Sequence, residues 1–276
     1  MIRLDEVPST NTWVLEALAK GTDLPDGTVV WTTRQTAGRG QVGNAWESEP
    51  DRNVSFSVLL RPTFLPPREQ FVLSEIAALA VAGETGGDIK WPNDIYMAEG
   101  KVCGILIEHR IVGTRLSESV VGIGINVNQT RWVGDAPNPT SLRLQTGREL
   151  SPEAVMEGVV SRLMADYRRL KADPESASAD IHRRFCARLY RREGFYPYRD
   201  VATGQDFEAC IKEVEPTGQL HLLVRGGESG LEGKTGVGAE ETCGASGKAN
   251  TGSGLEERIY WFKEVKFILP CGVVKE

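Results

Sequence analysis

A glycine-rich stretch between two predicted strands places the tightest limit on the fold of this chain. Residues 38–43 have the spacing G-x-G-x-x-G, which in a dinucleotide-binding fold follows a strand and opens a helix. The β-branched run 28–33 predicts the strand. The helix is not predicted, because residues 44–53 include Pro50 and acidic side chains, and residues 54–60 alternate as a second strand. The pattern therefore disfavours a dinucleotide-binding fold and indicates a loop between strands.

Arg39 makes this loop a candidate for binding an anion. Because no helix N-terminus follows, an anion there must be held by backbone amides beside the glycines and by the guanidinium group of Arg39. The alternative is a glycine-rich hairpin with a solvated arginine, and the loop alone does not decide between the two.

Length and composition limit the possible function classes. A chain of 276 residues suits one large domain and one smaller domain. A net charge of −6 provides no general attraction for nucleic acid, so we expect no nucleic-acid partner. We also expect no membrane partner, because no apolar run approaches the ~20 residues of a membrane helix and no signal pattern opens the chain. Five scattered cysteines without a C-x-x-C pair indicate reduced thiols and a cytoplasmic protein.

The predicted elements change in character near residue 190. Before it, helices and strands alternate irregularly, with helices at 13–19, 69–84, 152–170 and 177–189 and strands at 28–33, 54–60, 101–108 and 120–128. Residues 137–142, which begin with Pro137 and include Pro139, predict a loop. After it, alternating strands at 196–201, 206–214, 219–224 and 258–268 predict a small SH3-like β-barrel. Residues 226–254 are glycine-rich and predict a flexible insertion. We therefore predict an α+β protein with a mixed-sheet domain at 1–189 and a β domain at 190–276.

Two polar clusters accompany these elements. Residues 9–11 (STN) precede a helix, where the hydroxyl groups of Ser9 and Thr10 suit either an N-cap or contacts to a small polar ligand. Residues 90–94 (KWPND) form a rigid corner, and a hairpin after it brings Lys101 close to Asp94. An ion pair of purely structural value is the alternative interpretation of that corner.

The apolar strand 120–128 contains two glycines on one face. Gly122 and Gly124 remove side chains there, which lets a ligand or another backbone come close. Asn126 lies on the same face of a regular strand. Its alternative role is that of a turn residue at the end of the strand.

Five motifs in this order resemble those of the biotin protein ligases. They are residues 9–11 (STN), 35–40 (QTAGRG), 90–94 (KWPND), 101–108 (KVCGILIE) and 122–126 (GIGIN). The resemblance covers nearly the whole chain and implies a catalytic domain of mixed sheet and helices, followed by an SH3-like domain. It also implies the reaction, in which biotin and MgATP form biotinyl-5′-adenylate and a lysine of a biotin carboxyl carrier domain then takes the biotin.

The resemblance implies two overlapping sets of site residues. The biotin-binding set is Ser9, Thr10, Asn11, Gln35, Gly38, Arg39, Gly40, Gln41, Lys101, Gly104 and Gly124. The ATP or adenylate set is Arg39, Trp46, Lys90, Asn93, Lys101 and Asn126. The implied catalytic residues are Arg39, Lys101, Asp94 and Asn93, with Asp94 also a candidate ligand for Mg²⁺.

Two departures from the family pattern modify these expectations. Many members have the loop sequence G-R-G-R-x-G-R, whereas Gln41 and Asn44 replace two of those basic residues here, so we expect the adenylate to be held less tightly. Bifunctional members place a DNA-binding domain before the first motif, whereas eight residues precede Ser9. We therefore expect a monofunctional ligase without a repressor role.

Two other functions remain open from the sequence. One is a lipoate ligase or octanoyl transferase of the same fold, since Cys103 near Lys101 could carry an acyl group, although its apolar strand favours a buried thiol. The other is a non-enzymatic biotin-binding module, against which the charged set of Arg39, Lys101 and Asp94 argues.

Overall fold

The computed structural model describes residues 1–40, 45–134, 138–225 and 255–269. Its helices are α1 (Thr10–Ala19), α2 (Phe71–Thr85), α3 (Leu142–Thr146), α4 (Pro152–Ala172) and α5 (Pro174–Ala187). Its strands are β1 (Ile2–Arg3), β2 (Thr28–Thr32), β3 (Gly38–Arg39), β4 (Ala45–Trp46), β5 (Val54–Leu60), β6 (Asp88–Lys90), β7 (Asp94–Met97), β8 (Gly100–Val112), β9 (Arg115–Ile125), β10 (Tyr196–Asp200), β11 (Asp206–Val214), β12 (Leu220–Arg225), β13 (Leu255–Tyr260) and β14 (Val265–Phe267).

A seven-stranded sheet in the order β1-β2-β5-β9-β8-β7-β6 forms the larger part of the molecule. β1 pairs with β2 in parallel, and the other neighbouring strands are antiparallel. The register across its centre aligns Ser57 with Gly122 and Gly104 with Gly124. Because side chains alternate between faces along a strand, these four positions share one face of the sheet.

Helices cover the two faces of this sheet unequally. α2, α4 and α5 pack on one face, where Phe56, Ile76 and Phe185 belong to one continuous apolar core. On the other face, α1 forms a smaller core in which Val14 packs with Leu59. The N-terminal end of α1 lies beyond that small core, against the polar positions of β5 and β9.

Local sequence explains where the helices begin and end. Ser9 caps α1, Ser141 caps α3 and Ser151 caps α4, each by accepting a hydrogen bond from a backbone N–H in the first turn. Gly86 ends α2 with a φ of 80°, in the left-handed region that glycine adopts without strain. The N-cap interpretation of Ser9 is therefore confirmed.

A second, five-stranded antiparallel sheet in the order β13-β12-β11-β10-β14 follows the helices. It contacts the first part of the chain through an aromatic group. Phe262 lies with its ring centroid 5.7 Å from that of Phe71 and 5.3 Å from that of Trp91. The indole N–H of Trp91 donates to the carbonyl oxygen of Gly218 at 3.0 Å. These contacts from the region of the second sheet therefore hold the corner at 90–94 in place.

The predicted α+β fold class, with a β region after the mixed sheet, is confirmed. The second sheet is consistent with an SH3-like arrangement, although the pairings among the described residues do not close it into a barrel. None of the helices in the described ranges is both long enough and apolar enough to cross a membrane. The predicted insertion at 226–254 lies outside the described residues.

Three local predictions were wrong. Residues 258–268 form two strands instead of one, because the chain turns after Trp261 and Lys263 has a φ of 72°. The predicted loop around Leu142 begins the short helix α3, which Ser141 caps. Reduced thiols occur at Cys103 and Cys186, but Cys210 is disulfide-bonded.

Candidate active site

The glycines of β8 and β9 form a floor that other groups approach closely. A Cβ atom added to Gly122 would lie 2.3 Å from Oδ1 of Asn11, and one added to Gly124 would lie 2.5 Å from the indole of Trp46. At Gly104 the same addition would come within 3.0 Å of the Trp46 ring. The groups that come close to this face are the side chains of Asn11 and Trp46, whereas the sequence predicted a ligand or another backbone there.

The N-terminus of α1 presents a connected set of polar groups at the edge of this floor. The backbone N–H of Thr10 donates to Oε1 of Gln35 at 3.0 Å. The hydroxyl of Ser57 lies 2.8 Å from the hydroxyl of Thr10 and 2.6 Å from Oδ1 of Asn11. Thr10, Asn11 and Ser57 are all buried. Each of these groups is fixed by a neighbour, so the set offers donors and acceptors in a rigid arrangement.

Glu108 joins this set to Arg39. Its Oε2 accepts from the amide of Asn11 at 2.9 Å and from the guanidinium group of Arg39 at 2.8 Å. The Arg39 side chain is 45% exposed and that of Glu108 is 28% exposed, so solvent reaches the ion pair. The structure thus brings Arg39 to the same cluster as the 9–11 motif, through a carboxylate that pairs with it.

Lys101 and Asp94 form a second ion pair at the start of β8. The Lys101 ammonium lies 2.7 Å from Oδ1 of Asp94, as the predicted hairpin requires. The backbone of Lys101 is held on both sides, since its N–H donates to Asn138 and its carbonyl accepts from Thr140. Asn93 donates from its side chain to the carbonyl oxygen of Ile105 at 2.8 Å.

Asn126 fixes the loop that holds Lys101. Its side-chain amide donates to the carbonyl oxygen of Thr140 at 2.9 Å, and its backbone N–H donates to that of Val102. Within the described part of the chain, its Oδ1 is buried without a hydrogen-bond partner. The structure therefore gives Asn126 a supporting role for Lys101 and leaves one acceptor on the same side chain.

Lys90 lies between the two sheets. Its ammonium is 4.7 Å from the ring centroid of Phe267 and 5.6 Å from that of Tyr96. Burial lowers the pKa of Lys90, and the nearby carboxylate of Asp94 opposes that change. The two aromatic faces stabilise the ammonium charge. Lys90 therefore packs against β14, the strand that carries Phe267, and does not join the cluster around Arg39.

Trp46 links the loop to both glycines and to Lys101. Gly38 pairs with Trp46 across β3 and β4. The Lys101 ammonium lies 6.0 Å from the centroid of the Trp46 ring. The next residue, Glu47, accepts hydrogen bonds from the backbone N–H groups of Val133 and Gly134 at 2.9 and 2.8 Å. These bonds fasten the chain immediately after Trp46.

Sequence reasoning did not single out Ser57, Glu108 and Glu47 as site residues. The signal for Ser57 was a polar residue that alternates with apolar residues in a predicted strand. The signal for Glu108 was a charged residue at the end of an apolar strand. Glu47 had no comparable signal. Gly40 adjoins Arg39 in the described loop, whereas Gln41 and Asn44, to which two predictions refer, lie outside the described residues.

The two cations of this region suit an anionic ligand, whereas its cysteine does not suit nucleophilic chemistry. Arg39 and Lys101 are held by carboxylates on either side of the glycine floor, which suits a ligand with negative charge. Cys103 is fully buried in β8, and burial raises the pKa of its thiol. The thiol is therefore a poor nucleophile, and the role of acyl carrier that Cys103 would need in an octanoyl transferase is not supported.

Comparisons with known proteins match this arrangement. The family described as the biotin/lipoate A/B protein ligase family matches residues 4–126. The bifunctional ligase/repressor BirA of Bacillus subtilis is 36% identical over 157 residues, which are 53% of this chain and 47% of that protein. The chain thus spans about half the length (47%) of that relative.

Two further matches cover more of the chain. The structure of biotin protein ligase from Aquifex aeolicus in complex with biotin and ATP covers 98% of both chains with a TM-score of 0.68 and 23% identity, which supports the fold alone. The biotin--[acetyl-CoA-carboxylase] ligase of Mycobacterium tuberculosis is 31% identical over 229 residues, which are 79% of this chain and 81% of that one. With this extent of similarity, the chain belongs to the biotin protein ligase family.

Proposed function

We propose that this chain activates biotin with ATP to biotinyl-5′-adenylate and transfers the biotin to a lysine of a biotin carboxyl carrier domain. The observation that carries the proposal is the placement of Arg39 and Lys101 on either side of a glycine floor. The buried polar cluster at the start of α1 adjoins that floor. A polar head group and a carboxylate on one ligand match such a site.

The polar cluster is the proposed binding site for the ureido ring of biotin. A ureido group has two N–H donors and one strong carbonyl acceptor, so its site needs both kinds of partner. Thr10, Asn11, Gln35 and Ser57 supply hydroxyl and amide groups that can donate or accept. Ser9 and the backbone of Gly104 are further proposed partners of the ureido ring. The glycine floor offers room for the apolar part of biotin once the Trp46 indole, which now covers Gly104 and Gly124, moves away.

Arg39 and Lys101 are the proposed charge-stabilising residues of the first step. A carboxylate oxygen of biotin attacks the α-phosphorus of ATP, a new P–O bond forms, and pyrophosphate leaves. Both reactants are anions, so cations beside the reacting atoms reduce their repulsion and stabilise the charge that develops. Lys101 is well placed for this task, because its backbone is fixed by Asn138 and Thr140.

Asp94 is the proposed partner of the acceptor lysine in the second step. The lysine amine attacks the carbonyl carbon of the mixed anhydride, AMP leaves, and the amine loses a proton. Asp94 can orient the amine or accept that proton. It now pairs with Lys101 at 2.7 Å, so phosphate that draws Lys101 away would release one carboxylate oxygen.

Magnesium is proposed to arrive with ATP. Mg²⁺ is commonly bound through one or two carboxylates together with substrate phosphates, and one such carboxylate, Asp94, lies beside Lys101. The residues therefore fit an ion held mainly by the nucleotide, with Asp94 as its protein ligand. Magnesium would supply charge neutralisation on the phosphates, and Asn93 and Lys90 would remain nearby as polar and cationic contacts.

Trp46 is proposed to move when ligand binds. Its indole lies so close to Gly124 that even a methyl group there would be 2.5 Å away, so biotin and the indole cannot both contact this glycine. We place the indole on the adenine ring in the liganded enzyme, where aromatic stacking is favourable. Closure of the loop over the anhydride would exclude water.

The division into a catalytic domain at 1–189 and an SH3-like domain at 190–276 is part of this proposal. Its support is the change from a mixed sheet with helices to an all-antiparallel sheet. Asn126 is assigned to the adenylate side on account of its unpartnered Oδ1 among the described residues.

The test is biotin-dependent exchange between ATP and labelled pyrophosphate. Lys101→Ala should lower the exchange rate by about 100- to 1000-fold, because the loss of one charge-stabilising group at the reacting atoms has an effect of that size. Lys20→Ala is the matched control, since its side chain is 75% exposed and, among the residues that the structure describes, pairs with Glu16 alone on the surface of α1. That variant should retain the rate of the wild type.

Three outcomes would count against the proposal. Exchange retained in Lys101→Ala would remove Lys101 from the reaction. Transfer of lipoate instead of biotin to an apo-carrier domain would favour the lipoate ligase alternative. Binding of biotin without any exchange in the wild type would favour the non-enzymatic module.

A further inference from the structure

Outside the active site, three side chains on α2 and α5 form a linked acid, imidazole and thiol. Nδ1 of His182 lies 2.6 Å from Oε1 of Glu75, and Nε2 of His182 lies 3.6 Å from Sγ of Cys186. His182 and Cys186 are four residues apart on α5, which places them on one face of the helix. Glu75 reaches them from α2.

The burial of Glu75 fixes the orientation of the imidazole. Glu75 is 2% exposed, and its carboxylate oxygen Oε1 faces Nδ1 of His182. A buried carboxylate needs a donor, so Nδ1 carries a proton and donates it. Nε2 is then the nitrogen that faces the sulfur. This is the order of groups in which an imidazole held by a carboxylate activates a nucleophile.

We infer that Glu75, His182 and Cys186 form a reactive-thiol site, at which the Cys186 thiolate reacts with small uncharged electrophiles such as hydrogen peroxide. Cys186 is half-buried and packs against the apolar core, which admits a small neutral molecule and disfavours a charged one. The pKa of His182 is raised to about 10, by the hydrogen bond to Cys186 first and by that to Glu75 second, which supports an imidazolium beside the sulfur. Among the described residues, Cys186 and Glu75 are the titratable groups that act on His182.

The peroxide step balances without a cofactor. The thiolate sulfur attacks one peroxide oxygen, an S–O bond forms and the O–O bond breaks. The sulfur is oxidised to a sulfenic acid, while the peroxide is reduced to water and to the hydroxyl group now on sulfur. The departing hydroxide takes a proton from the His182 imidazolium, which solvent then restores.

The chain provides its own reference thiol. Cys103 is fully buried, and burial raises the pKa of its thiol, so it should stay unmodified while the protein is folded. Reaction at Cys186 therefore has to be read by mass spectrometry of the individual peptides, which also separates it from the cysteines outside the described residues.

The deciding experiment is the rate of alkylation of the full chain by iodoacetamide at pH 6 and at pH 8. For an ordinary thiol with a pKa of about 8.5, the thiolate fraction and hence the rate fall roughly 75-fold between pH 8 and pH 6. The ratio of two rates at one cysteine cancels its accessibility. At Cys186 of the wild type we expect a fall of less than about threefold, and in His182→Gln we expect the ordinary fall.

Hydrogen peroxide followed by dimedone, which traps sulfenic acids, tests the second half of the inference. We expect a dimedone adduct at Cys186 that His182→Gln diminishes more than about tenfold. An ordinary pH ratio at Cys186 in the wild type, or no alkylation there, would overturn the reactive-thiol site. Alkylation that persists at pH 6 without a dimedone adduct would overturn the assignment of peroxide. If His182→Gln fails to fold, the wild-type ratio still decides.

Discussion

The two faces of the seven-stranded sheet use the same strands for opposite purposes. On the face under α2, α4 and α5, the central positions are large and apolar, and they include Phe56, Val58, Ile105, Val121 and Ile123. On the face at the start of α1, the alternating positions of the same strands are small or polar, and they include Ser55, Ser57, Gly104, Gly122 and Gly124. One face is filled by large apolar side chains, whereas on the other the side chains of Asn11 and Trp46 lie directly over the glycines.

Because the two faces differ, substitutions on the apolar face should change stability, whereas substitutions on the glycine face should change function. A residue on the apolar face contributes by filling space, so its loss should lower the free energy of unfolding and leave the chemistry of the folded molecules unchanged. A residue on the glycine face contributes by being small or by pointing a polar group at the ligand, so its change should act on binding. Neighbours in one strand provide matched tests.

Phe56→Ala should have the largest effect on stability. The ring is fully buried in the main core, and truncation of such a side chain costs about 3–5 kcal/mol. Urea unfolding followed by fluorescence measures the loss. Ser57→Ala, one residue further along β5 and on the opposite face, should cost only about 1 kcal/mol, the net value of a typical hydrogen bond. Equal losses in the two variants would contradict the division between faces.

Gly122→Ala should have the largest effect on binding. The new methyl group would lie 2.3 Å from Oδ1 of Asn11, which Ser57 and Glu108 hold in place. We expect the KM for biotin to rise about ten- to a hundredfold, corresponding to the ~1–3 kcal/mol typical of overpacking at a rigid site. Pyrophosphate exchange over a range of biotin concentrations measures it.

Gly83→Ala is the control for that substitution. The atoms nearest to a methyl group at this position of α2 belong to the flexible Arg162 side chain, at 3.5 Å. Because alanine favours a helix over glycine, the variant should gain about 0.5–1 kcal/mol of stability with an unchanged KM. An unchanged KM in Gly122→Ala as well would show that the biotin site lies elsewhere.

Sequence patterns predicted the close pairing of Lys101 with Asp94 but not the cluster around Ser57. The first depends on one hairpin and a proline, both of which are local, and the ammonium does lie 2.7 Å from the carboxylate. The second depends on the register among β5, β9 and β8, which no single strand encodes. Alternation showed that Gly122 and Gly124 share a face, but only the aligned sheet shows that Ser57 and Glu108 share it with them.

The strand prediction at 258–268 failed because the turn inside it depends on distant contacts. Its apolar and charged residues alternate in a way that suits one long strand, and the turn after Trp261 has no glycine or proline to mark it. The turn is instead stabilised by tertiary structure, since the neighbouring ring of Phe262 packs on Phe71 and Trp91. Contacts of that range are not encoded in a local pattern.

Gln41→Arg tests whether a basic residue in the loop sequence next to Arg39 improves retention of the adenylate. Gln41 replaces a basic residue of the family pattern, and a charge-assisted contact to the adenylate is worth about 1.5–3 kcal/mol. We therefore expect release of biotinyl-adenylate to slow by roughly tenfold or more. Release is followed by trapping labelled adenylate on a filter. An unchanged rate would show that the departure at this position has no effect on retention.

The smallest effect is expected in the helices above the apolar face, where His182 pairs with Glu75. The pKa of His182 in the folded protein is raised to about 10, above the roughly 6.5 of an unfolded histidine. Stabilisation by its positive charge is therefore complete below about pH 6.5 and is lost as pH rises through 10. Burying the carboxylate of Glu75 offsets much of the gain, so His182→Gln should cost only about 1 kcal/mol at pH 7.

The pH dependence distinguishes this pair from His109, a half-buried histidine on β8 of the large sheet. The difference in unfolding free energy between wild type and His182→Gln should shrink steadily from pH 7 to pH 10. His109, by contrast, has a pKa lowered by burial, so it favours the folded state only while neutral. His109→Gln should therefore improve stability below pH 6.5 and change little above it. Urea unfolding at pH 5, 7 and 9 measures both trends. A constant difference for His182→Gln across this range would mean that His182 contributes to the helix layer by its shape and not by its charge.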